Sequence, residues 1–279
     1  MCGIAGFYFK GEFTNEEKEQ WIRHGFNSIV SRGRHATGFM NLSLDGKYHI
    51  FKVGKSWEEA KKLDIFKQEL WRDVILLHTR AATHGSPKDN NNNHPHESED
   101  WIIVHNGVIS SRPLAEYNYK GECDSEVLLS YIQMHGLQQG LAQAKGSMAI
   151  AAYHKTEPGV LYLYRESNPI IVQEKQVGKN KYIVAFSSLG LSWMDIRGKY
   201  FHLESGSSLD SNSIYKLDFI AERVSLIPVS KVKIQLFSED DDKYEYISFR
   251  DEIEKRQKTI LIKKKQDDVM TRAGIVYGD

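Results

Sequence analysis

Apolar residues follow two different spacings in the first part of the chain. Residues 2–9 form a nearly continuous apolar run, which is typical of a buried strand. Thr14 and Glu17 then have the spacing of a helix capping box. The apolar side chains that follow at helical spacing are Ile22, Phe26, Ile29 and Val30. The pattern therefore predicts a strand that leads into a helix.

A hairpin is predicted next, with strands over 38–44 and 47–53. The Asp45-Gly46 pair between them provides the positive φ angles that a two-residue turn requires. A second capping box, Ser56 with Glu59, predicts a helix that reaches about Trp71.

Two later apolar runs end in polar clusters. The run 74–77 leads into His78-Thr79-Arg80, and the run 101–104 leads into His105-Asn106-Gly107. Asp124 is then the predicted N-cap of a helix. Further strands are predicted at 147–153, 160–165, 170–174, 181–187, 213–217, 222–229 and 231–237. Strands without long helices between them favour antiparallel sheets with helices on their faces, an α+β fold.

The pattern changes after Phe237. Residues 238–242 are an acidic loop, and 244–266 read as a charged helix with few apolar anchors. We therefore expect a domain over residues 2–237 and a charged tail over 238–279. The tail fits a linker or partner-facing segment, and a solvated terminal helix fits it equally well.

Charge and cysteine content narrow the function classes. Lys plus Arg and Asp plus Glu number 37 each, so no overall field attracts nucleic acid or an anionic membrane. Cys2 and Cys123 are the only cysteines, which is typical of free thiols in a reducing compartment. Neither a signal peptide nor an apolar run of about 18 residues is present in the sequence. These features predict a cytoplasmic protein that binds neither nucleic acid nor membrane.

Cys2 lies directly behind the initiator methionine, so removal of Met1 would make it the amino terminus. A thiol has a pKa of about 8.5, whereas a terminal α-amine has a pKa of about 7.7 to 8.0. The amine could therefore take the thiol proton and return it to a leaving group. The competing interpretation is a small apolar residue at the start of a buried strand.

Thioester hydrolysis of an amide also needs oxyanion donors and groups that fix the substrate. Asn106 and the backbone N–H of Gly107 could serve as the donors. Arg80 could bind a substrate carboxylate, and Asp124 a substrate ammonium. Each residue has an ordinary structural interpretation on its own, and their combination with Cys2 points to an α-amino acid amide.

Several motifs resemble those of class II glutamine amidotransferases, in the same order. They are MCGIAGF at the amino terminus, Arg32-Gly33, His78 to Gly85, Asn93-His94-Pro95-His96, His105-Asn106-Gly107 and Asp124-Ser125-Glu126. The resemblance covers residues 2 to 220 approximately, and is strongest to the glutaminase domain of glucosamine-6-phosphate synthase.

The resemblance implies an N-terminal-nucleophile hydrolase fold, a four-layer αββα sandwich with two antiparallel sheets. It implies that Cys2 hydrolyses L-glutamine to glutamate and ammonia through a γ-glutamyl thioester, without a cofactor or metal. Asn106 and Gly107 would form the oxyanion hole, and Arg80 and Asp124 would hold the substrate.

Other residues receive roles from the same resemblance. Thr83 and His84 would lie in a loop over the bound glutamine. Arg32, Gly33 and His105 would have supporting roles. The sugar-isomerase portion of the synthase has no counterpart in this sequence, so the expected ammonia acceptor is a separate synthase protein.

Two positions depart from the family pattern. Arg34 and His35 follow Arg32-Gly33 where the family has a tyrosine or proline and then an aspartate, and Ala81 replaces an aromatic residue.

Three alternative functions stay open. One is an amidase for another γ-glutamyl or linear amide, and another is a non-catalytic interaction subunit with the same fold. The third, a metal hydrolase, draws on the close spacing of His78, His84, His94, His96 and His105.

Overall fold

The computed structural model describes residues 1–68, 70–189, 193–194, 200–201, 207–221 and 225–232. The strands are β1 Gly3–Lys10, β2 Ala36–Leu42, β3 Tyr48–Val53, β4 Val74–Arg80, β5 His96–Glu97, β6 Trp101–Ile109, β7 Gly146–His154, β8 Val160–Arg165, β9 Ile171–Gly178, β10 Lys181–Ser187, β11 Trp193–Met194, β12 Tyr200–Phe201, β13 Ser207–Ser208, β14 Ser213–Asp218 and β15 Ser225–Lys231. The helices are α1 Asn15–Ile29, α2 Trp57–Ala60, α3 Ile65–Gln68, α4 Asp124–His135 and α5 Leu137–Gln143.

Two main sheets contain most of these strands. Within the described residues, one sheet has seven strands in the order β13-β9-β10-β1-β4-β2-β3, and the other has six in the order β15-β14-β8-β7-β6-β5. Neighbouring strands in both sheets run antiparallel. The strands β11 and β12 pair separately.

The two-residue alternation of the strands assigns their side chains to three apolar layers. In β1, Ile4 and Tyr8 pack between the two sheets, whereas Ala5, Phe7 and Phe9 pack against α1. The other face of the six-stranded sheet packs against α4 and α5. The layers are therefore helix, sheet, sheet and helix, which confirms the αββα sandwich.

The first capping box forms as expected. The Thr14 side chain accepts a hydrogen bond from the backbone N–H of Glu17, and the Glu17 carboxylate accepts one from the N–H of Thr14. The helix α1 then places Trp21, Ile22, Phe26 and Ile29 against β1 and its neighbours.

The long helix expected from Ser56 to Trp71 is wrong. The capping box forms, but α2 ends at Ala60 and a separate short helix, α3, begins at Ile65. Trp57 and Phe66 both enter the same aromatic cluster, with ring centroids 5.2 Å apart. These residues are nine positions apart, which is two and a half turns of a continuous α-helix and would place their side chains on opposite faces. The helix must therefore break between them.

The predicted cap of α4 is also wrong. Cys123 occupies the N-cap position in extended geometry, and Asp124 is the first helical residue. The Asp124 carboxylate instead accepts a hydrogen bond from the backbone N–H of Ile109, 2.8 Å away. Asp124 is therefore directed toward the end of β6.

The strands expected after Gly146 are present, with shifted bounds. The two segments predicted at 222–229 and 231–237 are represented by the single strand β15 as far as Lys231. Residues 233–237 and the expected tail over 238–279 lie outside the described residues, so the domain boundary stays a prediction. None of the described helices combines the length and apolar character needed to cross a bilayer.

The aromatic cluster under the seven-stranded sheet provides a stability prediction. Phe26 is fully buried and stacks on Trp57 with centroids 4.3 Å apart. We expect Phe26→Ala to lower the free energy of unfolding by about 3–5 kcal/mol, because it leaves a cavity. Urea denaturation followed by tryptophan fluorescence measures the change.

Met134→Ala is the matched control, because Met134 is half exposed on α4. Its expected effect is within about 0.5 kcal/mol. Equal losses in the two variants would contradict the burial of Phe26 against Trp57.

Candidate active site

Three inward-facing positions converge at one end of the sandwich. Side chains at every second position of a strand lie on the same face of the sheet. Cys2 is therefore on the face of Ile4 in β1, Arg80 on that of Leu76 in β4, and Asn106 on that of Val104 in β6. Ile4, Leu76 and Val104 all belong to the core between the sheets. Because β1 and β4 are antiparallel, with Gly3 opposite Thr79, the start of β1 lies beside the end of β4. Cys2 and Arg80 are thereby brought together.

A hydrogen bond between the sheets brings β6 to the same place. The Nε2 atom of His78 lies 3.1 Å from the carbonyl oxygen of His105. His78 is paired with Ile4 in the register of β1 and β4, and His105 directly precedes Asn106. The bond therefore joins the neighbours of the candidate nucleophile to those of the candidate oxyanion donor.

Cys2 is a buried free cysteine. Burial raises the pKa of its thiol, and the backbone N–H of Ala81, 3.4 Å from Sγ, partly offsets the increase. The charge of the amino terminus and that of Arg80 also lower it, whereas Asp124 raises it. The net increase favours the thiol form, so attack by Cys2 requires a base.

Arg32 and Gly33 support the first residues of the chain. The Nε–H of Arg32 donates to the carbonyl oxygen of Cys2 at 2.8 Å, and its Nη2 lies 3.4 Å from Sδ of Met1. A Cβ on Gly33 would lie 2.5 Å from the carbonyl oxygen of Thr79. A glycine here is what allows the chain after α1 to pass against the end of β4.

Arg80 is a buried cation with neutral neighbours. Its side chain is 2 % exposed. Among the described residues, its hydrogen-bond acceptors are Oδ1 of Asn93 at 3.0 Å and the carbonyl oxygens of His84 and Gly85. Buried charges are usually paired with an opposite charge, so this guanidinium is suited to bind an anion. Its contacts also fix the loop over 81–85.

Asp124 and His84 form a partly buried pair. The Nδ1 atom of His84 lies 3.7 Å from Oδ1 of Asp124 and 3.2 Å from the hydroxyl of the exposed Thr83. The carboxylate raises the pKa of His84 above 6.5, although burial opposes the shift. Burial also raises the pKa of Asp124, but His84, His105 and the N–H of Ile109 together lower it below 3.8. Asp124 is therefore an anion that lies beside the His84 imidazole.

The Asn106 side chain presents a buried amide to the space between the sheets. Its residue is fully buried, and neither Nδ2 nor Oδ1 has a partner among the described residues. At Gly107 φ is 155°, and a Cβ there would lie 1.8 Å from the carbonyl oxygen of Ser147. The close approach of β7 therefore requires glycine at this position. An unpaired buried amide is costly unless a ligand uses it.

The histidines near the site divide into two groups. His105 points away from the core between the sheets, and its Nδ1 lies 2.8 Å from the hydroxyl of Ser125 in α4. His78 stacks on His94 with ring centroids 3.9 Å apart, and His94 meets His96 edge to face with centroids 4.4 Å apart. Burial lowers the pKa of His78 to about 3 and that of the other two well below 6.5. These three rings are neutral at physiological pH.

In the described residues no group of three or more acidic, histidine or cysteine side chains is arranged to hold a metal ion.

Three positions were not assigned a role by sequence reasoning. His35, a departure from the family pattern, accepts a hydrogen bond at Nδ1 from the N–H of Ala82, 2.9 Å away. Ser188 extends the pairing of β10 with β1, since its hydroxyl accepts from the N–H of Ile4 at 3.1 Å. Asn168 donates to the carbonyl oxygen of Asn106 at 3.1 Å. The Asn168-Pro169 pair was visible in the sequence, whereas nothing in the local pattern indicates Ser188.

Sequence comparison identifies relatives of this domain. The chain is 29% identical over 209 residues to the glutamine–fructose-6-phosphate aminotransferase (isomerizing) of Shouchella clausii, covering 68% of the chain and 33% of that protein. The enzyme of the same name from Francisella tularensis is 30% identical over 228 residues, 74% of the chain and 34% of that protein. The chain belongs to the class II glutamine amidotransferases. This amidotransferase domain spans about a third of the length of the curated relatives that it matches.

Solved structures share the fold. An allosteric regulatory enzyme of purine biosynthesis aligns over 84% of this chain and 50% of its own, with a TM-score of 0.58 and 15% identity. A glutamine aminotransferase class-II domain protein from Silicibacter pomeroyi aligns over 82% of this chain and over its own full length, with a TM-score of 0.50 and 15% identity. No protein-family model matches the chain.

The pair of His84 and Asp124 gives a pH prediction for the amidotransferase domain. Because the pKa of His84 is raised in the folded protein, the contribution of His84 to the free energy of unfolding is complete below about pH 6.5. This contribution is lost as the pH rises through the pKa of His84 in the folded state. Because the pKa of Asp124 is lowered in the folded protein, its contribution to the free energy of unfolding is present above about pH 3.8. This contribution is lost as the pH falls through the pKa of Asp124 in the folded state. The pair is thus fully formed between these limits.

We expect Asp124→Asn to lower the pKa of His84, because the carboxylate is lost while burial remains. A pH titration of the His84 ring protons by NMR measures the shift. Asp100→Asn is the control, since Asp100 instead accepts a hydrogen bond from Gln133 at 2.6 Å and should leave the titration of His84 unchanged. The same His84 titration in Asp124→Asn and wild type would refute the pairing.

Proposed function

We propose that this domain hydrolyses L-glutamine to glutamate and ammonia through a γ-glutamyl thioester on Cys2. The observation that carries the proposal is the buried amide of Asn106, which has no hydrogen-bond partner among the described residues and lies on the inward face that Cys2 and Arg80 share. An oxyanion that forms on a substrate carbonyl would satisfy this amide. The names of the relatives, which include glutamine, support the choice of substrate.

Removal of Met1 makes the mechanism possible. Met1 is 72% exposed, which suits removal by an aminopeptidase. The α-amine of Cys2 then takes the thiol proton, and Sγ forms a bond to the amide carbon of glutamine. The electrons of the C=O bond move to oxygen, where the Asn106 side chain and the Gly107 N–H donate hydrogen bonds.

Collapse of this intermediate breaks the C–N bond and restores C=O. The protonated α-amine gives its proton to the leaving nitrogen, so ammonia departs and the thioester remains. Water, deprotonated by the same amine, then attacks the thioester. The C–S bond breaks, and glutamate and the thiol of Cys2 are released.

Arg80 and Asp124 suit the two ends of an amino acid. The α-carboxylate of glutamine would supply the anion that Arg80 lacks among the described residues. The α-ammonium would bind Asp124 in place of the His84 imidazole. Thr83 and His84 would lie in the loop over this position, and Arg32 and Gly33 would fix the first residues of the chain.

We further propose that a separate synthase protein accepts the ammonia. The aligned region is about a third of each curated relative, and the rest of those proteins is not part of the alignment. Glutaminase assays with co-purifying proteins test the proposal. Stimulation by one of them would identify the acceptor, and full activity without any partner would favour an independent glutaminase.

The two cysteines allow a direct test of the nucleophile. We expect purified protein to lack Met1 by intact mass and to release equal amounts of glutamate and ammonia from glutamine. Cys2→Ala should abolish the release, because no other thiol has an adjacent terminal amine. Cys123→Ser is the matched control and should remain active, since burial raises the pKa of Cys123 to about 12 and a serine hydroxyl can replace the contact of Sγ with Oδ1 of Asp124.

Retention of Met1 in active protein would rule out the terminal-amine mechanism. Turnover of asparagine or of an N-substituted γ-glutamyl amide, with none of glutamine, would replace the proposed substrate. An inactive protein that still binds glutamine would support the non-catalytic alternative.

Asn106→Ala tests the oxyanion hole. The loss of one such donor typically lowers kcat by about 10²- to 10³-fold, because the hydrogen bond strengthens in the transition state. We expect that loss with little change in KM, measured as ammonia release at varied glutamine. A large increase in KM with normal kcat would instead assign Asn106 to ground-state binding.

A further inference from the structure

The connection between β8 and β9 passes from the six-stranded sheet to the seven-stranded sheet. Asn168 lies in this connection, and its Nδ2 atom is 3.1 Å from the carbonyl oxygen of Asn106. A carbonyl oxygen accepts hydrogen bonds and does not donate them. The amide group of Asn168 must therefore be oriented with its nitrogen toward Asn106.

Residues on both sides hold Asn168 in place. Before it, the backbone N–H of Glu166 donates to the carbonyl oxygen of Met148 in β7 at 2.9 Å. After it, Pro169 restricts the backbone of Asn168 to extended conformations. Ile170 is fully buried in the core between the sheets. The Asn168 side chain is thus presented from a connection that is anchored at both ends.

The Asn106 side chain depends on its backbone for its direction. Its amide atoms have no hydrogen-bond partner in the described part of the chain. The carbonyl oxygens of His105 and Asn106 are each contacted by a side chain from outside their strand, His78 and Asn168 respectively. Beyond them, Gly107 has a φ of 155°, which departs from ordinary strand geometry. The side-chain contacts therefore help to fix the backbone where the strand becomes irregular.

We propose that Asn168 is a positioning residue for the oxyanion-binding amide of Asn106. By holding the carbonyl oxygen of Asn106, it fixes the peptide plane and the direction of the Asn106 side chain. The inference rests on the function proposed above. Because an oxyanion exists only during the reaction, a displaced donor lowers kcat and leaves glutamine binding unchanged.

Asn168→Leu tests the proposal, because leucine has a similar size and cannot donate. We expect kcat for glutamine hydrolysis to fall about 10-fold, less than the loss of the donor itself, since misplacement weakens the hydrogen bond without removing it. KM should stay within about twofold of wild type. The measurement is ammonia release at varied glutamine, with thermal unfolding recorded in parallel.

A double-mutant cycle separates positioning from a general structural effect. In an Asn106→Ala background only the Gly107 N–H remains as an oxyanion donor, so Asn168→Leu should cause a smaller further loss of kcat than it causes in wild type. Ser167→Ala is the matched control, because Ser167 is exposed in the same connection and contacts Glu166. It should have the kcat of wild type.

The outcomes are distinct. Wild-type kcat in Asn168→Leu, or an equal further loss in the Asn106→Ala background, would overturn the inference while the proposed function stands. No glutamine turnover in wild type would overturn the proposed function and the inference with it. If Asn168→Leu fails to fold, Asn168→Asp replaces it. Its carboxylate repels the carbonyl oxygen, and normal kcat in that variant would also refute the proposal.

Discussion

The pairing of β1 with β10 on one side and β4 on the other is the constraint on which the candidate site depends. Terminal residues usually fray, but here hydrogen-bonded partners on both edges hold the first strand in the middle of a sheet. The register with β4 sets Gly3 opposite Thr79, so Cys2 and Arg80 share a face. A shift of one residue would turn Arg80 toward the helical layer and remove it from the site.

The charge of the site depends on histidines that remain uncharged. Burial lowers the pKa of His78, His94 and His96, so none of the three adds a positive charge between the sheets at neutral pH. Arg80 and Asp124 are then the buried cation and anion beside the thiol. One cation and one anion at separate positions match the two charges of a zwitterion, whereas charged imidazoles would favour anions in general.

The sequence predicted the layers of the fold better than the contacts within the site. The apolar runs and the capping box at Thr14 depend on local periodicity, and they formed as expected. The helix beyond Ser56 failed because the shared burial of Trp57 and Phe66, a tertiary constraint, overrode local helix signals. The pairing of His84 with Asp124 joins residues forty positions apart, and local patterns carry no information about such contacts.

Met1 blocks the α-amine of Cys2, and its side chain lies beside the candidate nucleophile in contact with Arg32. Its peptide bond to Cys2 converts the proposed base into an amide that cannot accept a proton. The protein with Met1 and the protein without it would share one fold, because β1 begins only at Gly3. If the protein is produced faster than the aminopeptidase removes Met1, the preparation would contain both species, and measurements of folding would not distinguish them. The specific activity of such a preparation would report its degree of maturation.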